Sequence, residues 1–263
     1  MKYVFYALRM QWRCATEYRM SFWMQTLAQL AMTGGELLGV VVVLNRFTSA
    51  GQWSADEVLF FFGMMHLTFA VTECIGRGLT MFARIVQAGE FDQMLLRPRN
   101  LLVQVLCSRV DPRRIGSAAL GIVMMCISVS RLQIPWTFAH AILLLLSAAG
   151  TVMLLLGLFL IEATAAFLSI QSIEAVNVLT YGGRTACEYP LDIYPKPLRL
   201  LFMYIAPFGL CMHWPVSVLL HHPMLTWAEW TALIAPMSGM VFFFLMAYIW
   251  RKFGVRRYCS TGT

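Results

Sequence analysis

"LQIPWTFAHAILLLLSAAGTVMLLLGLFLI", residues 132–161, runs for 30 positions without a Lys, Arg, Asp or Glu. About 20 apolar residues carry an α-helix across the hydrocarbon core of a bilayer, so the run is longer than one crossing requires. Apolar character resumes after Glu162 and lasts to Tyr181. Together the two stretches suit a pair of membrane helices, with the turn between them expected near residues 157–164. Composition points the same way. Hydrophobic residues make up 59% of the 263 positions and charged residues only 13%, with a mean hydropathy of +0.68. A soluble domain has no interior large enough for that much apolar side chain. The expected class is therefore an all-α, polytopic membrane protein, since helices and closed barrels are what satisfy the backbone inside lipid.

Outward from this run, four further spans are expected. Residues 21–45 hold Glu36 as their one charge, and residues 58–76 contain Glu73 near their end. Residues 115–130 form a shorter span, lengthened by 132–136 if Arg131 snorkels to the headgroups. Residues 227–250 make the last, giving six spans with residues 182–222 left over.

The net charge of +7 sets the orientation. With both termini in the cytoplasm, the inner segments hold Lys2, Arg9, Arg13 and Arg19, then Arg77, Arg84, Arg97, Arg99, Arg109, Arg113 and Arg114, then Arg251, Lys252, Arg256 and Arg257. The outer segments hold Arg46, Arg131, Arg184, Lys196 and Arg199, and fifteen basic residues against five is the bias that cytoplasmic loops carry. Thr48-Ser49-Ala50 has the look of a signal cleavage site, but the apolar run before it is about twice a signal's usual length, so the first span is expected to stay as an anchor. Residues 1–20 place Val4, Phe5, Leu8, Trp12 and Ala15 at helical spacing beside basic residues, the pattern of an interfacial helix. Basic residues interleaved with aromatics on a soluble domain are missing, which speaks against nucleic acid as a partner.

One charged island, "GEFDQMLLRPRN" at residues 89–100, falls on the cytoplasmic side between the second and third spans. It reads as a break at Gly89, a short helix over residues 90–96 and a stop at Pro98. Phe91, Met94 and Leu95 stand at i, i+3 and i+4 as a small apolar face; Glu90 and Asp92 favour the start of the helix dipole, and Arg97 its end. By pattern alone the island is either a docking element for a partner or a charged loop lying against the bilayer.

Inside the spans, Glu36 sits in "GGELLG" and must be neutral, paired or facing water. A translocation path, a partner chain or a local hydrogen bond would each satisfy it. Gly35 and Gly39 form a small-xxx-small pair suited to a dimer seam. Glu73 and Arg77 are spaced for an i, i+4 ion pair, while Glu162 and Glu174 bracket the turn between the fourth and fifth spans. His66, His140, His213 and the adjacent pair His221 and His222 lack metal-ligand spacing, so no metal is expected. Seven cysteines include no CxxC, and only Cys187 and Cys211 would lie together outside, where a disulfide is conceivable. No nucleophile, base or paired-carboxylate arrangement suggests an enzyme.

The strings "GEFDQMLLRP" and "VQVLCSRVDPRRIG" resemble the signature of the type-2 ABC exporter permeases, in particular the viologen-exporter-like branch. "YGGRTACEYPLDIYPKPLRLLFMYIAPF", residues 181–208, is similar to the segment that follows the fifth span throughout that superfamily. The resemblance implies a half-transporter of the bacterial cytoplasmic (inner) membrane that exports an amphiphilic small molecule or a peptide. The chain has no G-x-x-x-x-G-K-[ST] loop, so ATP and Mg would be handled by two copies of a separate ATPase. The short helix would be the coupling helix, with Glu90, Phe91, Asp92, Met94, Leu95 and Arg97 facing that ATPase. Residues 182–222, with Tyr189, Pro190, Pro195, Pro207 and Pro215, would form outer re-entrant helices broken at Pro207 and Pro215. A second permease copy, identical or related, would complete the transporter. A membrane assembly protein without transport, or an intramembrane enzyme, are the alternatives.

Overall fold

The computed structural model describes residues 6–258 apart from 7–8, 12, 15–16, 18, 48, 51, 133, 135–136, 168–169 and 221–229. The apolar positions of the expected interfacial helix, and His221 and His222, lie outside the described residues. Helix α1 (Arg19–Phe47) leads to a short antiparallel pair, β1 (Ser49–Ala50) and β2 (Trp53–Ser54). Ser54 then opens α2 (Ala55–Thr80) with a capping box. Its Oγ accepts from the Glu57 N–H at 3.4 Å, and Glu57 Oε2 accepts from the Ser54 N–H at 2.7 Å, which satisfies two donors that a helix start leaves free. With α3 (Phe82–Gln87), α2 forms a 33-residue apolar length, Ala55–Gln87.

Two short helices follow, α4 (Glu90–Leu95) and α5 (Leu101–Ser108), and a 3-10 turn at Pro112–Arg114 starts α6 (Ile115–Leu132). Then come α7 (Phe138–Ala165) and α8 (Ile170–Ala186). A short α9 (Lys196–Leu200) runs into a π-turn, Leu201–Ile205, and a second π-turn, Gly209–His213, runs into α10 (Trp214–Leu219). Next come α11 (Thr231–Ile234), α12 (Met237–Ile249), a π-turn, Trp250–Gly254, and a 3-10 turn, Val255–Arg257.

Helix α2 is the centre of the bundle, packed between α6 and α7. Its Val58, Phe60, Phe61, Phe62, Met64 and Met65 are all at most 1% exposed. Glycines set how closely its neighbours approach. Gly63 on α2 and Gly121 on α6 stand against each other's carbonyl oxygens, so that a Cβ on either would come within 2.9 Å of backbone. Gly150 on α7 and Gly239 on α12 make a second such crossing. Close backbone approach through small residues is how helices pack where no water drives them together.

Among the described residues, four helical lengths are long and apolar enough to cross a membrane: Ala55–Gln87, Pro112–Leu132, Phe138–Ala165 and Thr231–Gly254. Lys196–Ile205 and Gly209–Leu219, bent by 80°, make a fifth if the pair is one span. Two further segments expected to span are also helical: α1 is 29 residues long, and α8 is shorter, with 17 residues.

Several expectations about boundaries are corrected. The break expected at residues 157–164 lies after Ala165, because α7 does not begin until Thr137 caps it, its Oγ1 accepting from the His140 N–H at 3.4 Å. Helix α6 stops at Leu132, and Arg131 pairs with Asp56 at 3.2 Å. Pro207 lies in the 80° bend, whereas Pro215 follows the π-turn Gly209–His213 inside the helical run Gly209–Leu219, which continues through it. Cys187 and Cys211 are buried free thiols; Cys211 Sγ lies 3.4 Å from Ser238 Oγ.

Candidate functional site

The island at residues 89–100 folds into a hairpin at the end of the 33-residue length. Gly89 takes φ 68°, a left-handed conformation in which a Cβ would be strained, and this turns the chain from α3 into α4. Asn100 caps α5 by accepting from the Leu102 N–H at 3.0 Å. The hairpin is tied at three points. Gln104 Nε2 donates to the Met94 carbonyl at 3.1 Å and to that of Arg99 at 3.3 Å, Arg109 pairs with Glu90 at 3.4 Å, and the Asp111 N–H donates to the Cys74 carbonyl at 3.2 Å.

The apolar face read from the sequence divides in two. Phe91 is fully buried within its own chain, its ring 5.2 Å from that of Phe82, 5.8 Å from Phe167 and 5.0 Å from Tyr258. Phe82 reaches Trp250 at 5.9 Å and Phe167 at 5.1 Å. This edge-to-face cluster clasps α4 to the connection after α7 and to the end of the last helix; ring pairs of this kind add about 0.5–1.5 kcal/mol each beyond burial. Phe91 is therefore not a docking residue, because its ring has no free side. Burial and then the neighbouring Asp92 carboxylate hold the Tyr258 phenol above its usual range. Met94 is partly buried; the surface left open carries Gln93, Leu95, Leu96 and Arg97, of which Leu96 is 86% exposed.

A second constellation lies among α1, α2 and α8. Arg184 Nη2 stands 3.0 Å from Glu36 Oε2 and 3.1 Å from Glu188 Oε1, and 3.2 Å from His66 Nε2. His66 Nε2 in turn lies 3.5 Å from Glu36 and 3.4 Å from Glu188, and the guanidinium carbon of Arg184 is 4.7 Å above the Phe69 ring. Nearby, Arg114 pairs with Glu73 at 2.9 Å and Thr33 meets Ser117 at 3.1 Å. Glu36, His66, Phe69, Glu73, Arg114 and Arg184 line one small polar cleft.

This cluster overturns several expectations. Arg184, read as an outer loop residue, is inside the bundle, and Glu36 has its partner within its own chain. Glu73 pairs across helices with Arg114 rather than with Arg77, which instead faces Asp111 at 3.9 Å. Glu162, read as a marker of the water boundary, is buried on α7, while Glu174 is exposed. His66, Glu36 and Glu188 place ligand atoms within 4.8 Å of one another, a spacing that a metal ion can use, but the Arg184 guanidinium already stands among them and supplies the positive charge. The sequence signal for the cluster is a set of solitary polar residues in apolar runs; pairing them needs the fold.

The remaining residues singled out by sequence are placed as follows. Gly35 and Gly39 meet nothing within 4 Å, on a helix whose Met24, Leu27, Met32 and Leu38 are all exposed. Pro190 is buried and leads a 3-10 turn at Leu191–Ile193, Tyr189 is partly buried, and Pro195 precedes α9. Asp192 in that turn pairs with Arg199 at 2.7 Å and accepts from Gln52 Nε2 at 3.4 Å, which sets the β-pair and the proline-rich turn at the same end of the bundle, opposite the hairpin of α4 and α5.

Apolar helices packed around α2, with ion pairs confined to their interior and ends, define a multi-pass membrane protein. Residues 30–262 match the family model of ABC-2 family transporter proteins, and the chain belongs to that family. Membership makes it the membrane subunit of an ABC transporter, a permease rather than an enzyme, associated with an ABC ATPase. Comparison with curated proteins and with solved structures finds no match.

Proposed function

We propose that the chain is the permease of an ABC exporter of the viologen-exporter-like branch, moving an amphiphilic small molecule or peptide out of a bacterial cytoplasm by ATP-driven alternating access. Six spans cross the inner membrane with both termini inside, α1 and α8 being the first and fifth and residues 187–220 an outer re-entrant segment. Two ATPase copies bind ATP and Mg, and a second permease copy completes the pathway.

The hairpin of α4 and α5 is the observation that carries this reading. It hangs directly on Ala55–Gln87, it is fastened by three polar ties and an aromatic clasp, and its free surface is a small apolar and basic patch at Leu95, Leu96 and Arg97. A load applied to that patch passes into α2 through Gly89 with little give. His66 lies on α2, and its charged neighbours Glu36 and Arg184 lie on α1 and α8. Movement of α2 relative to those helices must remake the cluster, which makes the cluster a two-position contact between inward-facing and outward-facing forms. Exposed Gly35 and Gly39 on α1 supply a face for the second copy.

Co-expression with an ABC ATPase from the same organism tests the proposal. The two should copurify, and Leu96→Asp combined with Arg97→Glu should abolish the complex and ATP-driven efflux while membrane insertion stays normal. Copurification undiminished in that variant would remove the hairpin from the interface.

A further inference from the structure

The last helix carries a feature that transport coupling does not use. On α12, Val241, Phe244, Leu245 and Tyr248 recur at i, i+3, i+4 and i+7 and are 68%, 65%, 51% and 59% exposed. The same face continues beyond Ile249 as Arg251, Lys252 and Arg256, all exposed. These three and Tyr248 enclose a concavity of about 220 Å³. Lys252 Nζ stands 5.5 Å from the ring centroids of both Tyr248 and Phe253, which holds the ammonium over the concavity instead of letting it extend into water.

Charge marks the place. Arg77, Arg109, Arg113, Arg114, Arg131, Arg184 and Arg199 each have a carboxylate partner, whereas among the described residues Arg251, Lys252 and Arg256 have none. Among those residues Arg84, Arg97 and Lys196 also lack one, but here three such cations line a single concavity. Residues 251–263 contain no Asp or Glu that might fold back. Three cations thus converge at the point where an apolar span ends, directly below an exposed apolar track of about 10 Å at 1.5 Å per residue.

We propose that this face of the last helix is a binding site for an anionic glycerophospholipid. The phosphate sits among Arg251, Lys252 and Arg256, the Tyr248 ring lies at the glycerol level as aromatic residues do at a membrane boundary, and an acyl chain follows Leu245, Phe244 and Val241. A zwitterionic headgroup brings its own cation and gains little from three more. A net negative headgroup neutralises them, and each basic residue at an anionic surface adds roughly fivefold to binding. The site joins lipid to the aromatic clasp, because Trp250 contacts Phe82 and the π-turn Trp250–Gly254 carries Arg251 and Lys252, with Arg256 in the 3-10 turn that follows.

The test uses the full chain purified in mild detergent and incubated with equimolar phosphatidylglycerol and phosphatidylcholine, with retained lipid read by native mass spectrometry. Wild type should retain phosphatidylglycerol selectively. R251Q/K252Q/R256Q should lose that selectivity by about 100-fold, single variants by about fivefold each, and R251K/R256K should keep it. If the triple variant fails to insert, the three single variants carry the test. Equal retention in wild type and variants overturns the proposal. So does displacement of the lipid by millimolar inorganic phosphate, which would mark a free-anion site. Loss of binding sites only when an ATPase or a second copy is present would assign the cations to a protein partner and overturn it likewise.

Discussion

At the scale of single residues, Arg184 carries the most consequence. Two carboxylates and a histidine converge on it, and Glu188 is 95% buried, being 5% exposed. Arg184→Ala leaves those acids facing one another without a cation, a loss expected to cost about 3–5 kcal/mol. Replacing the whole group with apolar residues, Arg184→Met with Glu36→Leu and Glu188→Leu, should recover most of that stability, because the desolvation of all three charges disappears with the pair energy. Thermal unfolding of the purified protein distinguishes the two outcomes, and a single variant no less stable than Arg97→Ala at the exposed hairpin would show that the cluster holds nothing together. The sequence marked Glu36 as in need of a partner. It did not name Arg184, 148 positions away, because an intramembrane charge specifies a requirement and not the helix that meets it.

At the scale of elements, the hairpin shows how periodicity can be right while facing is undetermined. The sequence placed a short helix after Gly89, and α4 is there. Phe91, Met94 and Leu95 were read as one outward face, yet Phe91 turns in and Leu95 and Leu96 turn out. An i, i+3, i+4 pattern says that a face is apolar; whether core, lipid or partner covers it depends on Phe82, Phe167 and Tyr258, which come from three other segments. Phe91→Ala is expected to lose about 3–5 kcal/mol through the cavity it leaves, seen first as faster protease cleavage between residues 88 and 100. Phe167→Ala, which removes the opposite wall of the clasp, should raise hairpin cleavage to a similar extent, and an unchanged rate in both would mean the clasp is not what orders the hairpin.

At the scale of the whole molecule, orientation rests on charge. The structure places Gln52, Asp192 and Arg131 at one end of the bundle and the hairpin at the other, so one labelling experiment reads both. In a background lacking the exposed Cys14 and Cys126, Gln52→Cys should react with a membrane-impermeant maleimide on intact cells, and Arg97→Cys only after lysis. The reverse pattern would invert the topology and, with it, the side from which the ATPase acts.

The sequence by itself determined the membrane class, the helical content, the short helix after Gly89 and the family, since each follows from local composition, periodicity or a short motif. Tertiary structure alone decided that Arg184 lies inside, that Glu73 pairs with Arg114, that Phe91 belongs to the core, and that Gly63 and Gly121 rather than Gly35 and Gly39 set a helix crossing within the chain. The reason is common to all four. Local sequence settles the conformation of a segment and the polarity of its faces, whereas partners far apart along the chain are chosen by which faces the bundle brings together.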